Sequence, residues 1–129
     1  MLNLFTWIMT AVVSVVAPAT LAIAADKPVL TIYTYESFTS DWGPGPAIET
    51  AFEENCNCDL QFVSLDSSIG ILGRVQLEGV GSKADIVLGL DTNLMATART
   101  TGLFAPHGTK LAGRTSLPVD FSDDMFVPF

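Results

Sequence analysis

Apolar and polar positions change period several times along this chain, and each change predicts an element. From Val29 to Thr34, Leu30 and Ile32 alternate with Thr31 and Tyr33, the two-residue period of a strand. Gly43-Pro44-Gly45-Pro46 breaks that pattern, and Pro46 sits where a first-turn proline is tolerated. A helix follows, with Ala47, Ile48, Ala51 and Phe52 on one face, Glu49, Glu53 and Glu54 off it, and Asn55 as its stop. Asp59 to Leu65 predicts a second strand, with Leu60 and Phe62 on one face and Val63 and Leu65 on the other. Ser67 or Ser68 can cap a second helix whose apolar stripe is Ile71, Leu72 and Val75. Gly70 and Gly73 weaken that helix by roughly 1 kcal/mol each relative to Ala. The run from Ala84 to Leu90 predicts a third strand, buried on both faces. Asp91 caps a third helix from Thr92 to Thr101, which Gly102 stops. Beyond it Pro106, Gly108, Gly113 and Pro118 mark loop, and Asp120, Asp123 and Asp124 read as a solvated turn. Phe126-Val127-Pro128-Phe129 begins what reads as another strand.

Strand and helix alternating at this spacing predict an α/β fold: a parallel βαβαβα unit with right-handed crossovers. The unit starts after a leader. Leu4 to Val16 is apolar but for Thr6, Thr10 and Ser14, Pro18 breaks it, and Ala22-Ile23-Ala24 offers the small residues a signal peptidase requires. Residues 1–24 therefore read as a cleaved signal peptide and 25–129 as the folded part, with cleavage after Ala25 nearly as well placed. Met1-Leu2-Asn3 lacks the usual Lys or Arg, and the alternative is an uncleaved anchor. The net charge of −8 argues against a nucleic-acid partner, which requires a basic surface. Cys56 and Cys58, separated by Asn57, leave two readings open in an oxidising compartment: a tight disulfide, or a metal site. Zinc takes about four ligands, and the single His of the chain, His107, lies far away, which weighs against metal.

In an open parallel sheet, ligands bind beyond the carboxyl ends of the strands. The first strand delivers Tyr35, Glu36 and Trp42 there, the second Asp66, Ser67 and Ser68, and the third Asp91 and Thr92. Helix N-termini suit anionic groups, and Tyr and Trp faces suit a flat or cationic ring. Plainer roles stand beside these: Ser67, Ser68 and Asp91 as helix caps, Tyr33 as packing, Trp42 as a lid over the core. No spacing singles out an acid–base pair among Glu36, Asp41, Asp66 and Asp91. Nucleophile-elbow, phosphate-loop and dinucleotide motifs are absent from the sequence.

Thr31-Ile32-Tyr33-Thr34-Tyr35-Glu36-Ser37-Phe38, Asp41-Trp42-Gly43-Pro44-Gly45-Pro46, Cys56-Asn57-Cys58, Lys83 to Asp91 and Phe126-Val127-Pro128 together resemble the bacterial periplasmic thiamine-binding proteins. These are the substrate-binding components of ABC importers. The resemblance implies the first lobe of a two-lobed periplasmic binding protein (type II-like), with the second lobe missing and the chain ending near the hinge. It implies a non-enzymatic, monomeric periplasmic protein without a cofactor, which takes thiamine or its phosphates and delivers them to an inner-membrane ABC permease. Tyr35 and Trp42 would line the cleft, the loop at Ser67 and Ser68 would touch the ligand, and Asp91 is a weaker carry-over. Relatives often carry an acidic residue followed by Gly where this chain has Ser67-Ser68, which exchanges a charge contact for hydrogen bonding. With one wall of the cleft, the chain alone is expected to bind thiamine weakly or not at all. A reading of a different class is a small exported structural or interaction domain without a ligand. Solvent-facing or packed aromatics at Tyr35 and Trp42 discriminate between the two.

Overall fold

A computed structural model describes residues 26–109 and 123–128. The leader expected over 1–24, the expected loop positions Gly113, Pro118 and Asp120, and Phe129 lie outside these. Three parallel strands form one sheet in the order β2-β1-β3, with β1 (Val29–Tyr35) in the centre. β1 pairs along its whole length with β2 (Asp59–Leu65), from Val29 opposite Asp59 to Tyr35 opposite Leu65. Odd-numbered side chains of β1 point to one face of the sheet and even-numbered ones to the other.

On the odd face lies α3 (Ser68–Glu78). Ser67 is extended, and its hydroxyl accepts from Gly70 N at 3.2 Å, so it is the N-cap. Gly79 stops the helix at φ +57°, a conformation few other residues adopt. The stripe Ile71, Leu72 and Val75 is buried, and each such side chain contributes roughly 1.5–3 kcal/mol of burial. Ile71 and Val75 pack against Tyr33, the centre of the core, with Val63, Leu65, Val87 and Leu90 around them. Tyr33 is therefore a packing residue with a polar tip. Its hydroxyl donates to the Glu78 carboxylate at 2.9 Å, and the same carboxylate accepts from Arg74 Nε and from the Ser82 hydroxyl.

On the even face, α1 (Glu36–Thr39) leaves β1 without a linker and buries Phe38 over the sheet. α2 (Gly45–Cys56) follows. Its predicted apolar face is only half covered: Ile48 and Phe52 are 44% and 43% exposed. Gly45, Glu49, Glu53 and Cys56 share the better-covered side instead, one turn apart. Glu53, expected off the packed face, accepts from Leu60 N at 2.8 Å and so satisfies a backbone group of β2. The helix also runs past Asn55 and ends at Asn57, which takes the left-handed conformation at φ 51°. Cys56 and Cys58 are joined by a disulfide across that turn.

β3 differs most from expectation. It spans only Ile86–Val87, opposite Ile32 and Tyr33, with flanking bonds from Asp85 N to Thr31 O and from Leu88 N to Tyr33 O. It is the outer strand of the described sheet, so Ile86 is half-exposed rather than buried. Pairing ends because Gly89 turns to φ +97°, outside the extended region.

The third helix is also shorter than predicted. α4 covers Met95–Thr100, with Leu94 at its N-cap. Asp91 closes the turn before the helix, its carboxylate accepting from Asn93 N and its carbonyl from Leu94 N, both at 3.0 Å. Asp123 and Asp124 are not simply solvated. Both pair with Arg99 of α4, and Asp123 also accepts from Met125 N and Phe126 N. Burial pushes the Asp123 carboxyl up, but those two backbone bonds and Arg99 outweigh it and hold the group below its ordinary range. Phe126 packs on Phe104 and under Arg99, while 126–128 form no strand.

Candidate functional site

The carboxyl edge of the sheet carries all five residues singled out from the sequence, but it treats them differently. Tyr35 is the last residue of β1, half-buried, with its ring edge-on to Phe38 at 5.8 Å. Phe38 in turn meets Phe62 of β2 edge-on at 5.7 Å. Trp42 lies in the turn between α1 and α2 and is 80% exposed. The backbone of that turn is closely packed. Gly43 N donates to Ser40 O at 2.8 Å, and any Cβ at Gly43 or Gly45 would fall within 2.7 Å of the Phe38 carbonyl oxygen. The Gly-Pro-Gly-Pro segment therefore lets two backbone stretches touch, which fixes where Trp42 projects.

At the exit of β2, Ser67 donates to Asp66 Oδ1 at 3.1 Å and accepts from Gly70 N. Ser68 donates to the Gly89 carbonyl at 2.6 Å, which ties the exit of β2 to that of β3. Both hydroxyls thus have partners inside the protein. Asp91 stands exposed beyond β3. Tyr35 and Ser68 meet at Gly89, whereas Trp42 and Asp91 stay on the rim. Glu36, Asp41, Asp66 and Asp91 are all exposed at this edge, giving it a negative rim.

Sequence reasoning placed Gly89 in the interior of a strand and so missed the point where the three exits join. Its signal was a glycine inside an apolar run, a mark of close approach by other atoms. At the opposite edge, a shallow cavity of about 450 Å³ is lined by Asp26, Lys27, Val29, Glu53, Cys58 and Asp59. It lies at the amino ends of β1 and β2, away from the residues described above. Among the described residues, no group of three or more His, Cys, Asp or Glu is arranged to hold a metal ion.

No protein-family model matches the chain. Its similarity to individual proteins is high. It is 52% identical over 103 residues to the thiamine-binding periplasmic protein of Escherichia coli strain K12, covering 80% of this chain and 31% of that protein. It is 48% identical to the protein of the same description from Brucella abortus over all 129 residues, 37% of the relative. The chain is related to the thiamine-binding periplasmic proteins. A solved periplasmic thiamin binding protein superposes with a TM-score of 0.73 at 52% identity, over 79% of this chain and 32% of the other. The parallel sheet with helices on both faces is thus the same fold, and the chain spans about a third of the length of these relatives.

Proposed function

We propose that this chain contributes one wall of a periplasmic thiamine-binding site that serves an ABC importer. The observation that carries the reading is the 52% identity to a thiamine-binding periplasmic protein. The exposure of Trp42 and the negative rim support it on physical grounds. Thiamine carries a permanent positive charge on a flat ring, and both an aromatic face and a carboxylate edge attract such a group. Trp42 and Tyr35 form the wall. Ser67 and Ser68 act mainly through the backbone N–H groups they position, because their hydroxyls are already engaged. Asp91 contributes charge at the rim. In the whole protein, these groups close on thiamine or its phosphates in the periplasm, after export by the leader at 1–24, and the monomeric, non-enzymatic binding protein hands the ligand to an inner-membrane permease.

A chimera tests this. The 103 matched residues of the Escherichia coli relative are exchanged for those of this chain, and thiamine affinity is measured by calorimetry. The chimera is expected to bind, and Trp42→Ala and Tyr35→Ala to weaken it by about tenfold or more, the equivalent of 1.4 kcal/mol. A folded chimera indifferent to both substitutions would favour the interaction-domain reading instead.

A further inference from the structure

Tyr35 cannot choose its orientation freely, and one of the residues that restrict it is neither a neighbour in sequence nor an aromatic. A Cβ on Gly89 would stand 2.4 Å from Tyr35 Cδ1 and 2.5 Å from Cε1. The ring therefore lies directly on the Gly89 backbone, in space that any side chain would fill. It also meets the edge of Phe38 at 5.8 Å and packs against the core cluster of Tyr33, Ile71 and Val75. Gly89 is itself held in place: the Ser68 hydroxyl donates to its carbonyl at 2.6 Å, and its φ of +97° is one that side-chain-bearing residues rarely adopt.

We propose that Gly89, fixed by Ser68, is a positioning residue that sets the Tyr35 ring for ligand contact. This rests on the proposal that Tyr35 faces ligand. Three independent strand exits converge on this one backbone unit: Tyr35 from β1, Ser68 after β2 and Gly89 after β3. The ring sits between the Gly89 backbone, the edge of Phe38 and the core cluster of Tyr33, Ile71 and Val75, so a displacement of Gly89 removes one of the surfaces that set its orientation. The Ser68 hydroxyl, spent on the Gly89 carbonyl, then acts on ligand through Gly89 and Tyr35.

The test uses the chain itself, with ¹³C-labelled aromatic rings observed by NMR. Gly89→Ala is expected to displace the Tyr35 ring resonances and abolish the Tyr35–Phe38 cross-peaks, while the cross-peaks between the Phe104 and Phe126 rings, 5.9 Å apart, persist. Unchanged Tyr35 signals in a folded Gly89→Ala protein overturn the proposal. Should Gly89→Ala fail to fold, the double variant with Tyr35→Ala decides. It is expected to recover part of the lost stability, because the ring that met the new Cβ is gone; an equal loss in both backgrounds overturns the proposal. Thiamine is then added at millimolar concentration. If Tyr35 moves in Gly89→Ala but thiamine perturbs the wild type and the variant alike and leaves Tyr35 untouched, the positioning stands and the ligand reading of Tyr35 fails. Smaller thiamine-induced shifts at Tyr35 in Gly89→Ala than in the wild type support both.

Discussion

A Cβ at Gly43 would stand 2.4 Å from the Ser37 carbonyl oxygen and 2.5 Å from that of Phe38, whereas at Gly73 it would meet nothing within 4 Å. The same substitution is thus expected to act with opposite signs. Gly43→Ala forces α1 and α2 apart and should destabilise by about 1–3 kcal/mol. Gly73→Ala lies inside α3 with free space and should stabilise by roughly 0.5–1 kcal/mol. Urea denaturation of the two variants reads both, and a Gly43→Ala protein as stable as the parent would refute the close approach. Thr34 makes a second case. It is fully buried on β1, and its hydroxyl is without a hydrogen-bond partner among the described residues. Val has the same shape without the oxygen, so Thr34→Val should raise the urea midpoint, by about 1 kcal/mol in stability. A drop in midpoint would show that the hydroxyl has a partner after all.

At the scale of elements, α3 is anchored to the sheet by apolar and polar contacts at once. Ile71 and Val75 pack on Tyr33, and one turn later Glu78 accepts from the Tyr33 hydroxyl, Arg74 and Ser82. The Arg74 guanidinium holds the Glu78 carboxyl below its ordinary value of 4.5, and Ser82 and Tyr33 add to this against a desolvation that works the other way. A carboxyl depressed in the folded state binds its proton more readily when unfolded. Its contribution is therefore complete above about pH 4.5 and is lost as the pH falls through the folded value. Glu78→Gln should flatten the acid side of the stability profile below pH 4.5, leaving the slope from Asp123, whose carboxyl is depressed as well. Urea midpoints from pH 7 down to pH 3 check this, and parallel profiles for variant and parent would exclude the coupling. The two paired strands and α3 were legible in the sequence because their periodicity is local. β2 pairs with β1 in full, and the α3 stripe is buried as read. β3 and α4 were legible as elements but not in their extents, for tertiary reasons. β3 ends at Val87, two residues before Gly89 leaves the extended region at φ +97°, and Asp91 spends its cap on a turn before the helix begins. The half-covered Ile48 and Phe52 follow the same logic: periodicity reports which face is apolar, and not what lies against it. Of the candidate site, sequence found the strand exits through the topology of α/β sheets, but not their junction, which depends on a contact between β1 and the end of β3.

Among the described residues Trp42 faces solvent while Tyr35 packs on the core, and on the proposed reading that bounds how tightly the chain alone can hold a ligand. Trp42 is 80% exposed, so a flat cation can lie on one of its faces with water on its far side. An exposed cation–π contact contributes about 0.5–1 kcal/mol, and Tyr35, half-buried against Gly89, offers little more than an edge. The carboxylates at Glu36, Asp41, Asp66 and Asp91 are exposed and screened by salt, which leaves each of them a small share. A dissociation constant of 1 mM corresponds to about 4 kcal/mol and one of 1 μM to about 8 kcal/mol, and the contacts available here reach at most the first. The isolated chain is therefore expected to bind thiamine with a dissociation constant of about 1 mM or weaker, and more weakly still at high salt. Titration of Trp42 fluorescence with thiamine at two ionic strengths measures this, with Trp42→Phe as the control for absorbance by the ligand. Saturable quenching at micromolar thiamine would mean that the described wall encloses its ligand without a second one, against the exposure of Trp42.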